Sequence, residues 1–247
     1  MTFNQSSHAR GLISRYRQQI SRIVGMALTV GVLLTLTSVT ADAAPAKCDL
    51  KAKVVKCPKA DLRKANFKGV NLRGANLRGV NLEGVKFYGT LKWGPVDLTG
   101  ANLSKANLYK TGFNFRDGED PERSAKVVGI NFSDAIFLKA TTRKNWKGET
   151  VTVYNGGTSF SYLDLTNSNF SNTILGGSRF YHANLTGVNF SGTALGTSFF
   201  RNANLTGVNF SGADLSGALF YPPYPDFTGV KCGPSVTGVG VSFPRSC

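Results

Sequence analysis

The residues that could carry out chemistry are few and far apart in this chain of 247 residues. Its two histidines are His8, which lies in an amino-terminal leader described below, and His182, so a Ser-His-Asp or Cys-His arrangement in the rest of the chain would depend on His182 alone. Asp164 and Asp214 are separated by fifty residues, and no Walker-type phosphate loop occurs. The four cysteines lack the short spacing of zinc ligands. We therefore expect no enzyme, no metal and no cofactor.

The only acidic cluster lies in residues 114–129, with the sequence NFRDGEDPERSAKVVG. A calcium loop needs oxygen ligands at alternating positions and a bidentate Glu, which this segment does not supply. Arg116, Arg123 and Lys126 also balance its acidic side chains. We interpret 114–129 as a solvated excursion.

The amino terminus has the organisation of a secretory signal peptide. Residues 1–22 contain four arginines and no acid, and an apolar run from Ile23 to Val39 precedes Ala41-Asp42-Ala43. The run is shorter than the ~20 residues of a membrane-spanning helix. We predict cleavage after Ala43, with Ala44 as the alternative, and export to the periplasm or the medium.

The formal net charge of +15 would suggest nucleic acid or an anionic surface as a partner. The charge is uneven, however. Residues 44–150 hold 21 basic and 10 acidic residues, whereas residues 151–247 hold 4 and 3. The positions of the charges must therefore be known before a partner class can be chosen.

A period of five residues dominates the chain from Ala60 to Phe220. The segment from Ala60 reads ADLRK ANFKG VNLRG ANLRG VNLEG VKFYG, with Leu or Phe at the centre of each unit and a small residue two positions before it. From Phe160 to Phe220 the centres alternate strictly between Phe and Leu. Neither an α-helix nor a flat strand has this period. The period therefore indicates a repeat architecture.

The A-[DN]-[LF]-x-x pattern resembles that of the pentapeptide-repeat family over most of residues 55–222. The resemblance implies an all-β right-handed quadrilateral β-helix with four pentapeptides per coil. The recurrence of ANLTGVNFSG at 183–192 and 203–212 supports a turn of twenty residues independently. About eight coils at the strand spacing would form a rod on the order of 40 Å. The expected layout is a signal peptide at 1–43, a cap at 44–59, the β-helix at 60–222 with excursions at 114–129 and 138–157, and a cap or tail at 223–247.

The cysteines lie at the two ends of the repeat region, where a solenoid needs caps. Export permits disulfides, and the length of the rod excludes pairing between its ends. We predict the disulfides Cys48–Cys57 and Cys232–Cys247.

The regular basic residues form what we call the basic collar, which consists of Arg63, Lys68, Arg73 and Arg78. A spacing of five places them on successive sides of one coil, so they encircle the rod and do not follow one side. Mimicry of DNA toward a type II topoisomerase, an activity known in the family, requires an acidic rod. The basic charge and the expected export exclude it here, and we expect no nucleic-acid partner.

One side of the carboxyl-terminal coils departs from the Asn, Ser and Thr of the others. Aromatic residues and arginines exposed together are typical of recognition surfaces. This candidate binding face consists of Tyr162, Arg179, Tyr181, His182, Phe199, Arg201 and Tyr221, with Leu219 and Pro222 beside them. Two interpretations remain open: the face binds a partner, or it is covered by 138–157 or by the apolar tail from Tyr224 to Cys247.

The sequence thus favours a non-enzymatic exported scaffold or protein-interaction surface, whose partner is an unknown protein or envelope polymer. The alternative is a protein that binds glycan or an anionic envelope polymer through the aromatic and arginine face and the basic collar.

Overall fold

The computed structural model describes residues 48–68, 70–89, 95–114, 121–144, 146–154, 157–221 and 225–232. Within these ranges, regular elements are limited to a 3-10 turn at Pro121–Arg123 and two strands, β1 at Ala140–Lys144 and β2 at Thr150–Tyr154. The strands form an antiparallel hairpin in which Ala140 pairs with Tyr154 and Lys144 with Thr150. No helix among the described residues has the length and apolarity needed to cross a bilayer.

Isolated parallel bridges organise the rest of the described backbone into four ladders, which the chain visits in the order A, B, C, D. Where two consecutive rungs form no bridge, their order along the chain places them on the same ladder. Ladder A contains Asn71, Asp97, Lys126, Asp164, Asn184, Asn204 and Asp226. Ladder B contains Lys56, Asn76, Asn102, Asn131, Asn169, Asn189, Asn209 and Lys231. Ladder C contains Asp61, Asn81, Asn107, Ile136, Ile174, Ala194 and Asp214. Ladder D contains Asn66, Lys86, Gly112, Ser159, Arg179, Phe199 and Leu219.

The residue after each rung points inward and forms the core. The phenylalanines that follow ladder D stack in a column, with ring centroids 5.2 Å apart for Phe160 and Phe180 and 5.0 Å for Phe180 and Phe200. Phe170 and Phe190, which follow ladder B, form a second column at 5.3 Å. These side chains are fully buried. The alternation of Phe and Leu in the sequence therefore produces columns of like side chains.

The Asn or Asp of the repeat has a defined local task. On ladder A, the Asn184 side chain accepts a hydrogen bond from the N–H of Thr186 at 3.2 Å, and on ladder B Asn189 accepts one from Ser191 at 3.0 Å. Such Asx turns satisfy a backbone donor where the chain bends. The next residue takes a positive φ, 66° at Gly187, which glycine adopts without strain.

The departures from the five-residue step all border ladder D. From D to A the chain uses eleven residues between Lys86 and Asp97, fourteen between Gly112 and Lys126, and seven between Leu219 and Asp226. From C to D it uses 23 residues between Ile136 and Ser159, and this segment contains the hairpin. Steps from A to B and from B to C keep the five-residue spacing. One side of the β-helix therefore carries the insertions along its edges.

Two sequence-based boundaries need correction. The excursion predicted at 114–129 ends earlier, because the N–H of Ala125 donates to Phe113 O at 2.7 Å and Lys126 forms a bridge on ladder A. Residues 225–232, assigned to a tail that could fold back, instead add rungs to ladders A and B through Asp226 and Lys231. The repeat pattern is hard to recognise in both segments. Val127 stands at the core position after Lys126, and Phe227 is an isolated Phe at the core position after Asp226.

Candidate functional site

The predicted aromatic and arginine residues lie together on the side that carries ladder D, which we call the D face. It comprises the outward residues of the ladder D rungs and of the two positions after each core residue. Its carboxyl-terminal part contains Tyr162, Arg179, Tyr181, His182, Phe199, Arg201, Leu219 and Tyr221. Pro222 lies outside the described residues. The ladder assignment places these residues on one side of the β-helix.

Two pairs of rings give this surface its shape. Tyr162 and His182 are both exposed and stack with centroids 4.7 Å apart and planes 14° apart. Tyr181 and Phe199 are half-buried and meet edge to face at 6.0 Å. Tyr162 and Tyr221 remain 44% and 48% exposed, so a partner can reach them.

The stack of Tyr162 and His182 continues into an amide. His182 Nε2 lies 3.2 Å from Asn202 Nδ2, and the pair is compatible with donation from the amide to the imidazole nitrogen. Asn202 Oδ1 is buried and has no hydrogen-bond partner among the described atoms. Buried carbonyl oxygens normally find a donor, so this oxygen is a polar feature that the fold alone leaves unsatisfied.

These three residues occupy a corner position at which the backbone favours glycine. The φ angles are 62° at Tyr162, 55° at His182 and 56° at Asn202. A side chain in the left-handed region costs on the order of 1 kcal/mol or more, and less for Asn. The equivalent corners of ladder A are Asn167, Gly187 and Gly207. The D face therefore holds a side chain at all three corners, whereas the neighbouring side has one.

The asparagines of ladder B show how the regular repeat stabilises the fold. The amides of Asn169, Asn189 and Asn209 form a continuous chain of side-chain hydrogen bonds, at 3.1 Å from Asn189 to Asn169 and 3.2 Å from Asn209 to Asn189. Each of them also accepts from a backbone N–H two residues later. Ladder D has such an Asx turn at Asn66, through Lys68 N–H at 3.0 Å, and none is found at its later described rungs.

The structure does not gather the basic collar into one site. Arg63, Lys68, Arg73 and Arg78 follow rungs of ladders C, D, A and B in turn. Arg63 forms a salt bridge with Asp61 at 2.6 Å, and Arg73 approaches Asp97 at 3.8 Å. Hydrogen bonds from the Arg63 side chain and backbone lower the pKa of Asp61 to about 2, so this carboxylate stays ionised beside the collar. Much of the collar charge is therefore balanced locally.

The structure keeps apart the carboxylates and the histidine considered for chemistry. Asp164 lies on ladder A and Asp214 on ladder C, which separates the two carboxylates. The partner of His182 is an amide rather than a carboxylate. Within the described ranges no group of three His, Cys, Asp or Glu side chains is arranged to hold a metal ion.

The amino-terminal cap contains the predicted Cys48–Cys57 disulfide, with Cα atoms 5.1 Å apart. Cys57 is fully buried and packs in the core. Cys232 is also disulfide-bonded, and its predicted partner Cys247 lies outside the described residues.

The described parts of the two predicted covers are largely exposed or extend the ladders. Strand β1 and Trp146 of the hairpin are exposed, Trp146 at 89%. Residues 225–232 extend the ladders instead of crossing the D face. Residues 233–247 of the tail lie outside the described residues, so that part of the prediction stays open.

Sequence reasoning missed the contributions of Lys86, Tyr88, Gly112 and Asn202 to this side of the molecule. The signal was available in the phase of the repeat, since the phase slips after Lys86, after Gly112 and before Ser159 all fall next to one ladder. Counting the steps from ladder to ladder would have placed all four residues on the D face.

Four ladders of parallel bridges surround columns of buried Phe and Leu side chains, and this arrangement defines a β-helical solenoid. A family model described as pentapeptide repeats, with eight copies, matches residues 58–91, 164–198 and 183–220. These segments carry repeats like those of the pentapeptide-repeat proteins, which form right-handed β-helices.

Similar solved structures are pentapeptide-repeat proteins too. HetL, described as involved in heterocyst differentiation regulation in the cyanobacterium Nostoc sp. strain PCC 7120, has 21% identity and a TM-score of 0.30, over 72% of this chain and 71% of its own. QnrB1, a plasmid-mediated fluoroquinolone resistance protein, has 17% identity and a TM-score of 0.27, over 73% and 92%. Rfr23 from the cyanobacterium Cyanothece 51142 has 22% identity and a TM-score of 0.19, over 67% and 89%. No curated protein matched the sequence.

Proposed function

We propose that this chain is a non-enzymatic, exported pentapeptide-repeat scaffold that binds a partner protein through the D face. The ladders are the four sides of a quadrilateral coil, repeated about eight times. The observation that carries the proposal is that the insertions border the same ladder that holds the exposed aromatic and arginine side chains.

This arrangement has the physical properties of a recognition surface. A rigid solenoid holds Tyr162, Arg201 and Tyr221 in fixed relative positions, so little side-chain freedom is lost on binding. Tyrosine and arginine are also the residues that contribute most to protein interfaces. Loops at the edge of such a surface add specificity without disturbing the scaffold.

Export fits the amino-terminal signal and the cap. The Cys48–Cys57 disulfide favours an oxidising compartment, since such bonds are rare where thiols are kept reduced. Cleavage near Ala43 would leave a mature chain that begins just before this cap. The proposed location is the periplasm or the medium.

Site-specific photocrosslinking tests the interaction surface. A photoreactive amino acid replaces Tyr162 or Tyr221 in the native host, and Tyr109, beside ladder C, serves as the matched control. We expect one discrete crosslinked protein from the two D-face positions and none from Tyr109. Crosslinking of the same products from all three positions, or from none, would contradict the proposal.

A second candidate is binding of an anionic envelope polymer through the same face and the basic collar. The observation in its favour is that the described D-face residues include Lys68, Lys86, Arg179 and Arg201 but no Asp or Glu. Such binding should weaken as salt rises. Salt-insensitive binding to the purified polymer would exclude it.

A further inference from the structure

Backbone bridges join the first two coils on ladders B and C but not on ladder D. We call this unbridged boundary between the two coils the seam. Bridges connect Lys56 with Asn76 and Asp61 with Asn81, whereas none connects Asn66 with Lys86 among the described residues. At the next rung of ladder D the pairing is complete, because Phe87 N–H donates to Gly112 O and Gly112 N–H donates to Val85 O, both at 2.8 Å. The backbone N–H groups of Phe67 and Lys86 have no such acceptor in the first seam.

A cavity of about 360 Å³ occupies this open seam. Phe67, Val85 and Val96 supply buried or half-buried apolar wall, and Lys68 and Lys86 are exposed around it. The complete lining is Arg63, Ala65, Asn66, Phe67, Lys68, Gly84, Val85, Lys86, Tyr88, Gly89 and Val96. The core is intact beneath the cavity, since the rings of Phe67 and Phe87 are 5.2 Å apart.

Gly112 gives Lys86 and Tyr88 the space in which they lie. A Cβ at position 112 would approach Lys86 Cδ to 2.9 Å and Tyr88 Cε1 to 3.1 Å. The φ of Gly112 is outside the left-handed region, so its backbone does not require glycine. The missing side chain therefore permits these two side chains to lie across the next coil beside the cavity.

The charge around the cavity is positive and largely uncompensated. None of the described carboxylates lies within 4.0 Å of Lys68 or Lys86, whereas Arg63 is held by Asp61 at 2.6 Å. Two ammonium groups and unpaired backbone N–H groups are donors suited to an oxyanion. The apolar wall and the Tyr88 ring suit the carbon skeleton that bears the anion.

We propose that this cavity binds one acidic sugar unit, a pyranose that carries a carboxylate or a phosphate. Its volume is at the lower end of the range for small-molecule sites, which matches a single sugar ring. Lys68 and Lys86 bind the oxyanion, the seam N–H groups donate to the ligand oxygens, and Tyr88 contacts the ring. The site lies on the D face but uses residues other than Tyr162, Arg201 and Tyr221, so it does not depend on the proposed protein partner; it shares Lys68 and Lys86 with the second candidate function and deepens that proposal.

Calorimetric titration of the purified intact chain tests the site with glucuronate, glucose 6-phosphate and neutral glucose as probes. We expect saturable binding of at least one acidic sugar and none of glucose. A glucuronate-containing oligomer in a parallel titration distinguishes a polymer unit from a free sugar: tighter binding of the oligomer indicates the former, and equal binding the latter. No saturable binding of either acidic sugar or of the oligomer, or equal binding of glucose, would overturn the proposal.

Matched variants separate the site from general charge. The double variant Lys68→Ala/Lys86→Ala should weaken binding about tenfold, as expected for the loss of two charge-assisted contacts. Arg78→Ala/Lys126→Ala removes the same charge at the same repeat positions on ladders B and A and should change affinity less than about twofold. Equal weakening in both variants would refute a defined site.

Two further variants keep the test independent of folding and of the proposed function. Gly112→Val leaves every charge in place but displaces Lys86 and Tyr88, so it should weaken sugar binding while thermal unfolding changes little. Unchanged sugar affinity would contradict the role of Gly112. Arg201→Ala/Tyr221→Ala alters the protein-binding part of the D face and should retain parent affinity for the sugar; loss of sugar binding in this variant would contradict the independence of the site.

Discussion

Deleting the hairpin segment should leave the β-helix intact if the ladder assignment is right. Between Phe137 and Phe160 the chain uses 23 residues, eighteen more than the regular step between core positions. Removing residues 140–157 joins Lys139 to Thr158 and leaves a regular pentapeptide step. The new corner at Lys139 must adopt a positive φ, which Lys105 and Lys110 already do at 61° and 58°.

The expected effect on stability is small and can be worked from the structure. Shortening the connection between the ladder B rungs Asn131 and Asn169 from 38 to twenty residues lowers the entropic cost of closing this loop by about 0.6 kcal/mol, which favours the folded state. The hairpin itself contributes little, because an isolated two-stranded hairpin is marginally stable and β1 is exposed along its length. We expect the free energy of unfolding to stay within about 1 kcal/mol of the parent, which is about 2–4 °C in Tm for a chain of this size.

The control deletion removes one residue more, 139–157. Its chain is one residue too short, by roughly 3.5 Å, to reach from Phe137 to Phe160 with both rings in the core. Expelling one buried ring costs about 3–5 kcal/mol. Circular dichroism melts and urea titrations of the two variants provide the comparison. Equal destabilisation in both, or a loss of more than about 10 °C in the eighteen-residue deletion, would refute the ladder register.

Three further predictions concern the core, a strained corner and an ion pair. The double variant Phe180→Leu/Leu185→Phe keeps the core volume but interrupts the Phe column after ladder D and the Leu positions after ladder A. We expect a loss of about 2–4 kcal/mol in urea unfolding; a parent-like midpoint would disprove the column argument. His182→Ala should be about 1 kcal/mol less stable than His182→Gly in thermal melts because φ is 55° at this residue, and the opposite order would be inconsistent with strain there. An NMR titration should place the pKa of Asp61 near 2, and Arg63→Ala should raise it only part of the way to 3.8, since the backbone hydrogen bond at residue 63 remains. The lowered pKa means that the pair stabilises the folded state fully above about pH 4 and loses this contribution as pH falls through 2. If the pKa of Asp61 in the Arg63→Ala variant stayed at the parent value, the assigned cause would be wrong.

The period of five predicted which residues face the core because the inward position is the one on which packing acts most strongly. Leu and Phe at this position, with a small residue two before, leave little freedom in a narrow interior. The position of the cysteines at the ends of the repeat region predicted the disulfide Cys48–Cys57, which the structure contains. The twenty-residue turn predicted that Tyr162, His182 and Arg201 lie on one side. The period of five failed where Val127 stands at the core position, since valine does not mark a centre clearly within an insertion.

The open seam could not have been predicted in this way. Asn66 and Lys86 occupy equivalent repeat positions twenty residues apart, as do Asp61 and Asn81, so the pattern expects a bridge in both places. Whether backbone groups pair depends on the approach of two coils in space. Gly112 is equally ambiguous in sequence, because a glycine before a core residue does not reveal whether its backbone or its neighbours need the space.

Several residues of the D face are poor choices for the fold, which supports the interaction surface proposed above. On ladder B, Asn189 forms an Asx turn and also hydrogen bonds to the amide of the next Asn in the ladder. The rungs of ladder D in the same coils are Arg179 and Phe199, whose side chains form neither interaction. Each absent Asx turn forgoes a hydrogen bond worth about 1 kcal/mol, and Tyr162 and His182 add strain at corners where glycine is easily accommodated. The repeats on the other sides show that the chain can form these turns. Ladder C also lacks Asx turns at Ile136, Ile174 and Ala194, so what distinguishes ladder D is that its departures coincide with the insertions, and this coincidence is the basis of the proposed interaction surface.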